Sequence, residues 1–185
     1  MLFEVHKIKE DLPPVKGESC IADDSEIGVA IELSDVVNAV DHGKCIHWLS
    51  DRSWSMHQML QALLAKIGPA DMWVSSYAFS ELPARIVSDL KATGVIRTLY
   101  CVIDSRVDVR AASALAMLRN SCDKLKLTHT HAKVTILQNA EWYLVVVGSA
   151  NYTTNKRYET GIISTHAESC SFHKKWIEDA INRAD

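Results

Sequence analysis

The sequence predicts an α/β fold: a mixed β-sheet flanked by helices on both faces, an α-β-α sandwich. Three observations predict it. Apolar runs of strand length alternate with stretches of helical period. Two such runs, on either side of Gln138–Glu141, are joined by a short polar turn and read as an antiparallel hairpin. The final stretch returns to helical spacing, and no internal repeat is visible.

Residues 1–50 form an extension of unclear role, and 51–185 form the main domain. In the extension, "DLPPVKGES" is a loop, broken by two prolines and a glycine, and "IGVAIEL" has strand character. Met56, Met59, Leu60, Leu63, Leu64 and Ile67 recur at helical spacing, with Gly68-Pro69 as the stop. "MWVSSYAF" reads as a buried strand. A helix follows in "SELPARIVSDLKATG", with Ser80 as N-cap, Pro83 in the first turn and Gly94 at the end. "VIRTLYCVI" is a second buried strand. Ser105 and Asp108 have capping-box spacing and open a helix running to about Asn120. "LKLTHTHAKVTIL" reads as one extended run, hairpin-paired with "WYLVVVGS", and "ETGIIST" as a further strand. The last helix places Phe172, Trp176, Ile177, Ala180 and Ile181 on one face.

With 185 residues, 48% of them apolar, the chain suits one domain with a real core. Its formal charge of −3 argues against a broad basic surface for gripping nucleic acid, though a local cationic pocket fits on an acidic protein. No stretch is long enough to span a membrane, and "MLFEVHKIKEDLPP" lacks a signal-peptide apolar region. Cys20, Cys45, Cys101, Cys122 and Cys170 are scattered without Cys-x-x-Cys spacing, so neither a zinc knuckle nor a redox pair is indicated, and buried thiols in the cytoplasm are expected. Trp54, Trp73 and Trp176 read as core or interface aromatics.

The chemistry concentrates in "THTHAKVTILQNAEWYLVVVGSANYTTNKRYET". On a strand, residues two apart face the same way, so His131 and Lys133 should project together. The antiparallel partner would bring Gly148-Ser149-Ala150-Asn151 to the same end, and Glu159 would open the next strand. A nucleophile, a cation, two neutral hydrogen-bonding groups and a carboxylate then meet at one sheet edge. That set serves phosphodiester chemistry without a metal. A neutral imidazole attacks phosphorus, and a carboxylate on its other ring N–H fixes the tautomer. Lysine, Asn NH₂ and Ser OH stabilise charge on the phosphoryl oxygens. His129 shares the His131 face and reads as pocket lining. Lys156 and Arg157 read equally as phosphate contacts or as a solvated charge run.

The pattern His-Ala-Lys, Gly-Ser-Ala-Asn and Glu resembles the HxK–GSxN–E signature (the HKD motif) of the phospholipase D superfamily, over about Trp73 to the C-terminus. The resemblance implies His131 as nucleophile, Lys133 as phosphate clamp, Asn151 with Ser149 as further phosphate contacts, and Glu159 holding His131. One departure stands out: the family's aspartate seven positions after the histidine is here Gln138. That aspartate is a structural turn residue in the family, and its absence favours the nuclease branch over the lipid-processing one. The pair His42/Lys44 lies in a polar turn without a following Gly-Ser-x-Asn. His173 and Lys175 diverge around a helix.

Breakdown of a phosphohistidine needs an acid for the leaving oxygen and a base for water, hence two imidazoles. With one motif, the resemblance implies a homodimer of C2 symmetry sharing one active site, with His131 supplied twice. The expected function is that of a metal-independent phosphodiesterase, without cofactor, acting as a nuclease on DNA or RNA with no stable membrane association. A phospholipase or phosphatidyltransferase, and a non-catalytic dimeric binding protein of the same fold, are the alternatives.

Overall fold

The structure is a computed structural model, and residues 27–154 and 157–183 are described. Its strands are β1 (Ile27–Ala30), β2 (Cys45–Leu49), β3 (Ala70–Ser76), β4 (Ile96–Asp104), β5 (Lys124–Thr128), β6 (Val134–Gln138), β7 (Tyr143–Gly148) and β8 (Thr160–Ser164). The helices are α1 (Leu33–Ala39), α2 (Met56–Ile67), α3 (Glu81–Ala92), α4 (Val107–Arg110), α5 (Ala112–Ser121) and α6 (Ala167–Asn182). The strands form one mixed sheet in the order β1-β2-β8-β7-β6-β3-β4-β5. The pairs β1–β2, β3–β4 and β4–β5 are parallel, and the other neighbours are antiparallel. The α/β class and the helices on both faces are as the sequence predicts.

Alternation along the central strands divides the interior in two. Met72, Val74, Leu137, Leu144 and Val146 face the larger core, filled by Met59, Leu60, Leu63 and Leu64 of α2, Ala84 and Val87 of α3, and Leu115 and Leu118 of α5. Trp73, Val102, Ile136 and Val145 face the other way, under Cys170 and Ile177 of α6. Trp54 joins the first core and Trp73 the second, with Trp176 packed against the latter. Phe172 departs from the expected apolar face of α6 and is 67% exposed. Its place on the helix turns it away from the sheet.

Four expectations need correction. The boundary expected at residue 50 falls at no break in the sheet, because β2 pairs with β8 along its whole length. A helix, α1, also precedes it where no helix is predicted. Residues 1–26, with Cys20 and the "DLPP" loop, lie outside the described residues. The helix expected from Ser105 is split: α4 ends at Ala111, whose φ of −152° and ψ of 56° interrupt it, and Ser105 caps nothing. Arg106 takes the first cap position instead. Ser80 is the N-cap residue of α3, but its side chain forms no capping hydrogen bond.

The fourth correction positions the site. "LKLTHTHAKVTIL" is two strands, not one. β5 lies on the sheet edge beside β4, whereas β6 lies between β3 and β7. The two are three strand positions apart, roughly 14 Å at about 4.8 Å per strand. Residues 129–133 therefore cross the ends of β4 and β3, a span that six steps of chain cover readily at about 3.3 Å each. The hairpin forms as expected, Val134 pairing Val147 and Gln138 pairing Tyr143. Its turn is closed by Asn139, whose Oδ1 accepts from Glu141 N (2.9 Å) and Trp142 N (2.8 Å). Gln138 Oε1 accepts from Lys174 Nζ at 3.2 Å, so the turn work falls to Asn139.

Among the described residues, no helix is long and apolar enough to cross a membrane. Among the described residues, Cys45, Cys101, Cys122 and Cys170 are free thiols, of which Cys101 and Cys170 are buried.

Gly148 and Gly161 pair across β7 and β8 beneath the Trp48 ring. A Cβ on Gly161 would lie 2.2 Å from Val147 O and 2.7 Å from Trp48 Cζ2. Gly161→Ala is expected to destabilise the protein by about 3 kcal/mol, because a strand backbone must move. Urea unfolding measures it, and a change within about 0.5 kcal/mol would show that the pair is not close-packed.

Candidate active site

The crossing segment is stitched to the strands beneath it. Thr130 N donates to Asp104 Oδ2 at 3.2 Å, at the C-terminal end of β4. Thr130 Oγ1 lies 3.3 Å from Ser75 Oγ at the end of β3 and accepts from Ala132 N at 3.3 Å. His131 and Lys133 thus stand on a loop above the ends of two parallel strands rather than on a strand. The pair meets by contact: Lys133 Nζ donates to His131 O at 2.7 Å and lies 3.2 Å from ring Nδ1 and 3.3 Å from Nε2. Lys133 is half-buried, and burial lowers its ammonium pKa, partly opposed by the nearby Glu159 carboxylate. His131 is exposed, its ring against Tyr77 with centroids 4.9 Å apart.

The second half of the site emerges beside it. Gly148 N donates to Lys133 O at 3.3 Å, so β7 ends where Lys133 begins. Ser149 brackets the start of β8: its N–H donates to Thr160 O at 2.9 Å, its Oγ accepts from Thr160 N at 3.1 Å, and its hydroxyl donates to the Glu159 carboxylate. Asn151 Oδ1 accepts from Ala78 N (3.2 Å) and Ser76 Oγ (3.3 Å), which leaves Nδ2 as the donor end. The loop is then pinned by Tyr152, fully buried, stacked on Phe79 at 4.5 Å and hydrogen-bonded to Thr135 Oγ1 at 2.8 Å.

The structure therefore brings His131, Lys133, Ser149, Asn151 and Glu159 to one end of the sheet. It does not join Glu159 to His131; the carboxylate bonds Ser149 and acts electrostatically on Lys133. His129 is exposed. Arg157 is exposed and its carbonyl accepts from Ser50 Oγ at 3.2 Å, while Lys156 lies outside the described residues. His42 stacks on Trp142 at 3.9 Å, and His173 accepts from Trp176 Nε1 at 3.0 Å, so both have packing roles away from the site. Among the described residues, no group of three His, Cys, Asp or Glu side chains is placed to hold a metal ion.

Two residues were missed by sequence reasoning. Tyr77, just past β3, packs on the His131 ring. Asp104, the last residue of β4, is fully buried and accepts from Arg106 Nε (2.6 Å), Arg106 Nη2 (3.0 Å), Arg106 N (3.1 Å) and Thr130 N. The signal available was position: both stand at C-terminal ends of parallel strands, where α/β folds place their sites. The Arg106 guanidinium holds the Asp104 carboxyl well below the usual carboxylate range.

Asp104→Asn should lower stability by about 1–3 kcal/mol, the half-exposed Arg106 keeping it toward the lower figure. A depressed carboxylate contributes fully above its unfolded pKa of about 4 and loses that contribution as pH falls toward the folded value. The Tm gap between wild type and Asp104→Asn should therefore hold near neutral pH and shrink in acid. A gap unchanged down to about pH 2 would mean that the charge of Asp104 contributes nothing.

No protein-family model matches the chain, and neither does any curated protein. Solved structures do. NucT from Helicobacter pylori superposes with a TM-score of 0.57 at 17% identity, covering 74% of this chain and 94% of that one. Nuc from Salmonella typhimurium, a phospholipase D family member, gives 0.55 at 18%, covering 77% and 96%. The polyphosphate kinase from Porphyromonas gingivalis gives 0.55 at 13%, covering 77% of this chain and 26% of its own. The chain thus has a fold similar to those of NucT and Nuc, each of which it matches over nearly its whole length.

Proposed function

We propose that the chain is a metal-independent phosphodiesterase acting through a phosphohistidine, and that its substrate is a nucleic acid. The observation that carries this is that Lys133 contacts His131 where β7 ends, with Asn151 fixed through its Oδ1 beyond the end of β3 on the same side of the sheet. Length supports the nuclease reading, since NucT and Nuc are covered almost end to end. A cytoplasmic setting suits the free thiols, Cys101 and Cys122 standing with sulfurs 3.2 Å apart.

In this reading one imidazole nitrogen of His131 attacks phosphorus, forming N–P as the bond to the leaving oxygen breaks. A second copy of His131, protonated, gives its proton to that oxygen. The same second imidazole then takes a proton from water, whose oxygen attacks phosphorus and expels the first histidine. Lys133 and Asn151 Nδ2 serve the non-bridging oxygens, where charge grows at the pentavalent stage. Glu159 accepts the ring N–H of His131 in the assembled site, and Ser149 holds the carboxylate ready. The second imidazole comes from a twofold-related chain, so the working unit is a homodimer.

Cleavage of single- and double-stranded DNA and RNA should survive excess EDTA and fall at least about 10³-fold in His131→Asn. Cutting abolished by EDTA would refute the mechanism. No cutting of any polymer would move the substrate to a lipid or small phosphodiester, or the protein to a binding role. Sedimentation should give the dimer mass, and a fully active monomer would overturn the shared site.

A further inference from the structure

Beside the residues assigned to the scissile phosphate stand Tyr77, Arg106 and Arg110, which have no role in that chemistry. Four groups converge on the Tyr77 ring. Arg106 Cζ lies 4.7 Å from its centroid, Lys133 Nζ 5.5 Å and Arg110 Cζ 6.0 Å, with the His131 ring at 4.9 Å. Arg110 Nη1 also donates to the Tyr77 hydroxyl at 3.0 Å. Three cations gathered on one ring repel each other, and the ring's negative face offsets only part of that.

Among the described residues, Arg106 is the one cation of the three in an ion pair with a carboxylate, while Glu159 acts on Lys133 without pairing directly. Asp104 takes Nε and Nη2 of Arg106, which leaves the Nη1 end of the fork uncommitted. No carboxylate pairs with Arg110 among the described residues, and both arginines are exposed. Such a cluster, on a chain of net charge −3, is built to meet an anion. The planar fork favours a phosphate oxygen pair. Asp104 also holds Thr130, next to His131, so the same buried carboxylate sets the arginine and the nucleophile in mutual register.

We propose that Arg106 and Arg110, arranged around Tyr77, form a second phosphate subsite that holds the phosphate adjacent to the scissile one on the same nucleic-acid strand. This rests on the nuclease reading of the His131 site and adds a requirement to it. A substrate with a neighbouring phosphate is engaged at two points, one with a single phosphodiester at one. The subsite positions substrate and takes no part in bond making.

The test separates the two claims by using binding first. Fluorescence anisotropy of a labelled twelve-residue oligothymidylate is measured against salt, with His131→Asn protein as background. Adding Arg110→Gln should flatten the log-log salt slope by about 0.7, the value for one lost contact to a single strand, and Arg106→Gln likewise. Among the described residues, the Arg110 side chain contacts Tyr77 and is exposed, so that variant keeps the fold even if Arg106→Gln loses stability. Unchanged slope and affinity in Arg110→Gln would overturn the subsite whether or not the protein cuts.

Cleavage then tests the position. With His131 intact, TpTpT should be cut with a higher kcat/KM than TpT. Arg110→Gln should remove that gain, through KM, so that the kcat/KM ratio of TpTpT to TpT falls toward one. A gain that survives the substitution would overturn the proposal while leaving the nuclease reading intact. Failure to cut either substrate counts against the nuclease reading, and the binding slopes then decide whether the cluster holds phosphate.

Discussion

Because β5 and β6 stand three strand positions apart, the chain between them must pass over the ends of β4 and β3. Nearly everything about the site depends on that passage. It lifts His131 off the sheet into solvent, lays it beside Tyr77 at the end of β3, and drops Thr130 onto Asp104 at the end of β4. Hydrogen bonds from Thr130 to Asp104 and Ser75, with the ring contact to Tyr77, hold the passage in place. The hairpin β6–β7 then carries the chain back, so that Ser149 and Asn151 emerge where Lys133 entered.

Asp104 is the fixed point of the passage. A buried carboxylate is costly unless every lone pair finds a donor, and this one receives donors from the loop and from Arg106. Removing any donor leaves charge uncompensated, which makes the arrangement well defined. The Gly148–Gly161 pair performs the comparable task on the other side. Without side chains, the two strands close beneath Trp48, and Ser149 is delivered at the tip with its hydroxyl on Glu159.

Much of the fold was legible. α2, α3 and the buried strands β3, β4 and β7 follow from apolar spacing and from punctuation by Gly and Pro. Less legible were α1 and β2, whose short patterns give little periodic signal, although β2 completes the sheet against β8. Leu125–Leu137 read as one strand because both halves are extended, and nothing local distinguishes an extended crossing from an extended strand. The split of α4 from α5 at Ala111 likewise has no warning in its residue types.

By itself, then, the sequence determined which elements form and which chemical groups are available. His131, Lys133, Ser149, Asn151 and Glu159 stand out from residue type and order together with the resemblance to the HxK–GSxN–E signature, all of which are local to the sequence. Tertiary structure alone decided how those groups meet. It put Lys133 on the His131 ring, gave Glu159 to Ser149, and added Tyr77, Asp104 and Arg106, which lie far from the motif along the chain. Strand order is a global property: it follows from burying all faces at once, and no short window of sequence contains it.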